Sequence, residues 1–342
     1  MQIRAATLIK KNNIKILNLE TPPLKTGELL VKIKYSSICH TQLQEIFGLR
    51  GKDKYLPHCL GHEATGIVVK VGKGVKKIKA KDKVCLTWIK GNGKQSNGVK
   101  YLNKKKNFVN AGPVNTFSNF SIISENRAIK LPKNSNLKKD VLMGCAIPTA
   151  FNAIFNTLKK AKKDNIIIFG AGGLGLACIF AAKEAGFKKI FALDKDKNKL
   201  KIAKEFGANN TILLNDLKKF DQIMKDYRNF FSNGIECSGN LNLMEKSINV
   251  IKNFGGKFII IGNYPPNKKA NINPWNFIMG KNITGSWQHQ LSYDQFFPLF
   301  YKKFKKFKCN RYFGKKIYKL ENINQAIKDF SSGKAVRPLI KM

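Results

Sequence analysis

The segment NIIIFGAGGLGLACIFAA, residues 165–182, constrains this chain more than any other. It contains the longest apolar run, yet that run is crowded with glycine and slightly too short to span a bilayer. The glycines have an order: Gly170, Gly172 and Gly175 stand in G-x-G-x-x-G spacing, with Gly173 among them. A continuous apolar strand at 165–169 precedes them, and a helix is predicted from about 173 to 186. In that setting Gly170 permits a tight turn, Gly172 lets the backbone approach a pyrophosphate, and Gly175 lets the helix pack closely on the strand. The helix N-terminus adds amide donors and a positive dipole end. Asp194 ends the next strand, KIFALD at 189–194, 19 residues after Gly175. A carboxylate there accepts from a ribose 2′-OH and repels a 2′-phosphate, so NAD is favoured over NADP. Lys195, Lys197 and Lys199 crowd the same place and can blur that preference, which keeps NADP open. The plain alternative, a tight glycine turn in an α/β core, does not account for the placed aspartate.

The pattern around this segment extends the argument. NKLKIAKEF (198–206) is a second helix, a third is expected near 241–253, and KFIIIG (257–262) is a further strand. Strands and helices alternating at this spacing give βαβ units and a doubly wound parallel sheet. Residues 1–90 have a different texture, with strands at 28–38, 64–75 and 82–88. In ELLVKIKYSSI, Leu29, Val31, Ile33 and Tyr35 alternate with Lys32 and Lys34, as a half-buried strand requires. Residues 89–112, rich in Gly, Asn and Lys, are expected to be a long surface loop. The βα alternation stops after about residue 288, and the aromatic, lysine-rich tail is expected to return to the first domain. A chain of 342 residues is comfortable for two such domains. No internal repeat is visible.

Composition narrows the function classes. The N-terminus lacks an apolar core and a small-residue cleavage site, so no secretory signal is expected. Seven scattered cysteines, an odd number, do not form a disulfide framework, and a cytoplasmic location is the expectation. The 63 basic and 21 acidic residues leave a net charge of +42. A nucleic-acid or anionic-surface partner is the sharp reading of that charge. The basic residues, however, are almost all lysines spread from end to end, alongside abundant Asn and Ile. That composition fits A/T-rich coding bias, and no arginine- and aromatic-rich recognition element concentrates it. Neither a specific nucleic acid nor a membrane is therefore expected as partner.

Within the β-rich part, Cys39, His62 (in GHE, with Glu63) and Cys145 (in GCAIPTA) offer two thiolates and an imidazole. Such a set suits zinc, and three protein ligands leave a fourth position open. By spacing alone, seven cysteines would yield such triples readily. Taken together, CHT at 39–41, GHE at 61–63, GCAIPT at 144–149, GAGGLG at 170–175, Asp194 and the closing SGKAVRPLI at 332–340 resemble the zinc-dependent medium-chain alcohol dehydrogenases. The resemblance runs over nearly the whole chain. It implies an α/β protein with a GroES-like β-rich catalytic domain (1–148 and 289–342) and a Rossmann cofactor domain (149–288). It makes Cys39, His62 and Cys145 the ligands of one catalytic zinc, with Glu63 beside the metal as an alternative ligand or electrostatic modulator. It puts Thr41 in a proton relay, His40 and Arg337 at the cofactor pyrophosphate, Thr149 near the nicotinamide and Lys199 near the adenine ribose. Trp88 would line the substrate pocket. It implies hydride transfer between an alcohol and NAD, and a homodimer or homotetramer.

Some positions depart from the family pattern. Many relatives carry a structural zinc in a lobe with four closely spaced cysteines, and residues 89–113 contain none. Only one zinc is therefore expected. Gln42 stands where an Asp commonly supports the ligand histidine, and Gln44 where a His often completes proton exit. The substrate among simple alcohols, polyols, sugars and amino alcohols is left open, with 89–113 and 287–297 as the segments expected to choose it. Two alternatives remain. A zinc-independent quinone or enone reductase would not need Cys39, His62 and Cys145 together. A basic polyanion-binding protein with a vestigial nucleotide site is opposed by the dispersed lysines and the intact ligand set. Cys59, Cys85, Cys178, Cys237 and Cys309 read as packing thiols. His58 is expected to point away from the ligands, and His289 to lie at a rim or surface.

Overall fold

The structure is a computed structural model that describes residues 1–158, 164–214, 216–287, 292–307 and 312–342, without the side chains of Leu217 and Lys218. His289, Cys309 and part of the 287–297 segment lie outside the described residues.

The chain opens with β1 (Gln2–Lys10), β2 (Asn13–Glu20) and β3 (Glu28–Ser37), turns through α1 (His40–Ile46), and continues with β4 (His58–Cys59), β5 (Ala64–Val71) and β6 (Lys83–Leu86). β7 (Val99–Leu102), β8 (Phe108–Gly112), β9 (Phe120–Ser124), β10 (Ala128–Lys130) and α2 (Leu137–Asp140) follow. Next come α3 (Ala146–Phe151), β11 (Asn165–Phe169), α4 (Gly173–Ala185), β12 (Lys189–Asp194), α5 (Lys197–Phe206), β13 (Asn210–Leu213) and α6 (Leu217–Asp226). The alternation runs on through β14 (Asn233–Glu236), α7 (Leu241–Ser247), β15 (Lys257–Ile260), α8 (Trp275–Ile278) and β16 (Asn282–Gly285). The tail holds α9 (Tyr293–Phe304), β17 (Ile317–Lys319), α10 (Ile323–Ser331) and β18 (Leu339–Lys341).

The chain forms two compact units, Met1–Cys145 with Leu291–Met342, and Ala146–Gln290. The first joins a small closed barrel, β1-β2-β7-β8-β4, to a sheet ordered β10-β6-β5-β3-β18-β17 with β9 also on β3. The alternation in β3 works as its sequence demands: Leu29, Val31 and Ile33 are buried with Val68, Val84 and Ile123, while Lys32 faces solvent. Each such aliphatic side chain contributes roughly 2 kcal/mol by leaving water. The returning tail is tied in by β18, whose Leu339, Ile340 and Lys341 pair with Ser37, Ser36 and Tyr35 of β3.

The second unit is a parallel sheet ordered β13-β12-β11-β14-β15-β16 among the described residues. β11 is buried along its whole length, and α4 buries an unbroken stretch from Gly175 to Ala182. The run at 165–182 is apolar because a central strand and a core helix follow one another. No helix among the described residues is long and apolar enough to cross a membrane.

Two expectations need correction. Residues 89–112 are not one long loop, because β7 and β8 pair antiparallel within them and bury Val99, Tyr101, Val109 and Ala111. Alternation confined to strands of four and five residues was masked by surrounding Lys and Asn. The helix expected at 241–253 ends at Ser247, passes through a 3-10 turn at Ile248–Val250, and Ile251 is already extended.

Candidate metal centre and glycine turn

Three neighbouring turns of the first unit deliver the candidate ligands. Cys39 is the N-cap of α1, where the chain leaves β3 in extended conformation and turns into the helix. His62 follows Gly61, whose φ of +93° and whose missing Cβ, which would meet Thr116 Oγ1 at 2.4 Å, admit no other residue without strain. Cys145 follows Gly144, where a Cβ would lie 2.6 Å from both the Glu63 Cβ and the Leu86 carbonyl. Glycine thus lets two of the ligand-bearing turns approach closely. One ligand atom from each of Cys39, His62 and Cys145 falls within 4.8 Å of the others. The two sulfurs are 4.0 Å apart, and His62 Nε2 is 3.4 Å from Cys145 Sγ. A tetrahedral zinc ion would set two sulfurs roughly 3.8 Å apart and a sulfur and nitrogen roughly 3.6 Å apart. The donor set therefore fits that ion in both chemistry and size.

The electrostatics have the same sense. The hydrogen bond from the Cys145 thiol, with Arg337 and His62 nearby, holds the Cys39 thiol well below its ordinary pKa. Cys145 is pushed well up by that same shared bond and by burial. A divalent ion beside the two sulfurs would favour the thiolate form of both. Burial opposes charge on His62, but the Cys39 thiolate more than offsets it and raises the imidazole. Glu63 is fully buried and pushed up to about 7 by burial, against the pull of Arg337. Arg337 NH2 contacts Glu63 Oε1 at 2.8 Å and Oε2 at 3.0 Å, and its NH1 donates to the Ile38 carbonyl at 3.5 Å. Burial works against the Arg337 charge, while Glu63 more than compensates and raises its pKa.

The other expected residues lie as follows. Thr41 Oγ1 is 3.8 Å from Cys39 Sγ. His40 is exposed at the start of α1, with its ring 4.6 Å from that of Phe330. Trp88 is half-buried, and its carbonyl accepts from Arg127. His58 is engaged by Asp53, Nε2 to Oδ2 at 2.9 Å. Cys59 is buried and pushed up to about 12 by burial, and Cys85 is buried as well.

In the second unit, the glycine turn has the stereochemistry its spacing asks for. Gly170 sits at φ +93°, and a Cβ on Gly175 would lie 1.8 Å from the Gly170 carbonyl oxygen. A Cβ on Gly172 would meet nothing within 4 Å, so open space faces the N-terminus of α4. Gly173 begins that helix, whose first turn carries no acidic residue. Asp194 is buried at the end of β12, with Oδ2 accepting from Ala171 N–H at 2.7 Å and Oδ1 from Asp196 N–H at 2.9 Å. Lys199 is half-buried in the first turn of α5, which Asp196 caps. Thr149 is half-buried on α3. Cys178 and Cys237 are 3.8 Å apart, sulfur to sulfur.

Gln42, at the position expected to support the ligand histidine, has its Nε2 2.5 Å from His62 Nδ1. Sequence reasoning missed one contributor. Glu236, buried at the end of β14, accepts from the Ser238 and Gly239 N–H groups and from the Tyr264 hydroxyl. It shapes the loop whose Ser238 stands opposite Gly170.

The chain is similar to known proteins. The zinc-binding dehydrogenase domain family matches residues 173–301, and the alcohol dehydrogenase GroES-like domain family matches residues 25–133. The S-(hydroxymethyl)glutathione dehydrogenase of Photobacterium damsela subsp. piscicida is 30% identical over 301 residues, which cover 80% of this chain and 81% of that protein. An Alcohol dehydrogenase zinc-binding domain protein from Burkholderia ambifaria has a solved structure that superposes with a TM-score of 0.88 at 25% identity, covering 100% of this chain and 99% of that one. Benzyl alcohol dehydrogenase from Acinetobacter calcoaceticus shares the fold, with a TM-score of 0.87, 24% identity and coverage of 100% and 99%. The chain belongs to the zinc-dependent medium-chain alcohol dehydrogenase family, with its GroES-like and Rossmann parts.

Proposed function

We propose that the protein is a zinc-dependent oxidoreductase that interconverts an alcohol and its carbonyl compound with NAD. The observation that carries this reading is the convergence of Cys39, His62 and Cys145 ligand atoms within 4.8 Å. Cys39 Sγ, His62 Nε2 and Cys145 Sγ would hold one zinc ion, which supplies Lewis-acid polarisation of a hydroxyl or carbonyl oxygen when bound. Glu63, neutralised by Arg337, tunes the field behind the ligands without itself adding an open charge. The Thr41 hydroxyl, beside Cys39, takes the proton that the alcohol releases. Thr41 would release its own hydroxyl proton outward in exchange, and Gln44, which cannot titrate, would not carry it further. The open space over Gly172 and the α4 N-terminus would take the pyrophosphate, with Gly170, Gly173 and Gly175 shaping the turn. His40 and Arg337 would add donors to the phosphates, and Arg337 Nε is buried without a hydrogen-bond partner among the described residues. Asp194 would accept from the adenosine ribose and Lys199 would flank it, while Thr149 would contact the nicotinamide, which receives the hydride. Trp88 would wall the substrate site.

A screen of NADH absorbance over simple alcohols, polyols, sugars, amino alcohols and S-(hydroxymethyl)glutathione tests the reading and names the substrate. Cys39→Ser should abolish NAD reduction while leaving NADH binding intact; activity surviving that change would sink the mechanism. Asp194→Ala should relax discrimination toward NADP, and unchanged discrimination would remove Asp194 from its role. A homodimer or homotetramer accords with the exposure of Trp275 (60%), Phe277 (51%) and Ile278 (66%) on α8, just ahead of edge strand β16. A monomer by light scattering would overturn that assembly.

A further inference from the structure

The Gln42 side chain serves two neighbours with one amide. Cys39 is the N-cap of α1 and Gln42 its third residue, so Oε1 accepts from the Cys39 N–H at 2.9 Å. Nε2 then faces His62 Nδ1 at 2.5 Å. Gln42 is 1% exposed, which leaves no solvent to relieve a mismatch. A backbone N–H can only donate, so it fixes the amide oxygen on its own side and turns the NH2 toward the ring. Nδ1 must accordingly offer a lone pair, and the ring proton sits on Nε2, facing Cys145 Sγ at 3.4 Å. With the proton on Nε2, the Cys39 N–H, the Gln42 amide and Nδ1 are all satisfied.

Metal binding upsets it. Nε2 is the ring atom next to the sulfurs, so coordination needs its lone pair and sends the proton to Nδ1. There the N–H points at the Gln42 NH2, donor against donor. Turning the amide over satisfies Nδ1–H but sets the NH2 against the Cys39 N–H. A ring protonated on both nitrogens meets the same conflict. A carboxylate, which only accepts, would satisfy both neighbours at once.

We propose that Gln42 is a positioning residue that weakens zinc binding, because its amide favours the metal-free tautomer of His62 and must leave one buried donor unsatisfied when the ion enters. The inference rests on the zinc reading above and makes the ion in this centre readily exchanged. The test is zinc affinity of the full chain, by competition with a chromophoric chelator, for the natural protein, Gln42→Glu and Gln44→Glu. Glutamate at 42 keeps the cap acceptor for the Cys39 N–H, so α1 is retained. It should tighten zinc by about ten- to a hundred-fold, the usual range for a histidine's outer partner. Gln44→Glu adds the same charge to the same helix and should not reproduce that gain. Equal affinities for the natural protein and Gln42→Glu, or an equal gain from Gln44→Glu, would overturn the assignment. Failure of every protein to bind zinc would instead overturn the metal reading itself. Nitrogen-15 shifts of the metal-free natural protein give a check that needs no variant, since only four histidines must be assigned. His62 should carry its proton on Nε2, and a proton on Nδ1 alone would refute the proposal.

Discussion

The metal corner and the segment at 89–113 lie in the same unit and solve the same problem by different means. At the corner, ligand atoms from three side chains distant in sequence fall within 4.8 Å of one another, and two thiols with an imidazole make a donor set that suits zinc. In the segment, where the family resemblance directs attention to four cysteines and finds none, a carboxylate does the gathering. Glu125 Oε1 accepts from the N–H groups of Lys76 and Lys77 at 2.8 and 3.0 Å, and Oε2 from that of Lys94 at 2.9 Å. Ser124 Oγ adds an acceptor for the Ser96 N–H at 3.1 Å. The β7–β8 pair supplies apolar burial beneath, with the fully buried Tyr101 accepting from the Ile122 N–H at 2.9 Å. A structural ion and a buried acid are alternative ways to hold irregular backbone, whereas a catalytic ion has no such substitute.

That contrast breaks most visibly under chelation. Removal of zinc from the loaded enzyme should lower turnover by on the order of a thousandfold or more, the scale of a lost Lewis acid worth several kcal/mol. Amide exchange across β7 and β8 should not change. Loss of protection there on chelation would mean that the segment also depends on metal. Metal analysis should accordingly give about one zinc per chain. The converse change is Tyr101→Ala, which removes a large buried ring and should cost about 3–5 kcal/mol in denaturant unfolding. Zinc affinity should stay as it was, and a parallel loss of zinc would show that the two regions are coupled.

The same contrast explains what could be read in advance. β11, the glycine turn and Asp194 were legible because a continuous apolar strand, fixed spacing and a strand-end acid are local features, and each states its own geometry. Cys39, His62 and Cys145 were legible only as a set of motifs in order, since no local rule brings residue 145 to residue 39. The β7–β8 hairpin escaped notice because its alternation spans only Val99, Tyr101, Val109 and Ala111 among lysines and asparagines. The Glu63–Arg337 pair, 274 residues apart, carries no periodic signal at all. Gln42 was visible as a departure, but its conflict needed the ring of His62 beside it. In physical terms, periodicity reveals burial and spacing reveals turns, while contacts between distant loops emerge only from the packed fold.

The smallest expected effect concerns Glu125 and sharpens the comparison through pH. Burial works against its charge, but the N–H groups of Lys77, Lys94 and Lys76 more than offset it and hold its pKa below the usual 4.5. A carboxylate with a depressed folded pKa releases its proton more readily in the folded protein. Its stabilisation is therefore complete above about 4.5 and is lost as pH falls through the lower folded value. Exchange of the Lys76, Lys77 and Lys94 amides should accelerate as pH drops from about 5 toward 3, beyond the intrinsic trend for those amides. Glu125→Gln should abolish that extra acceleration and cost about 2 kcal/mol at neutral pH, the scale of hydrogen bonds to a charged acceptor. Zinc affinity measured at pH 7 should be the same with either residue at 125. If the amides at 76, 77 and 94 exchange alike in the natural protein and the variant at every pH, the acid does not hold the segment, and the apolar hairpin alone must do so.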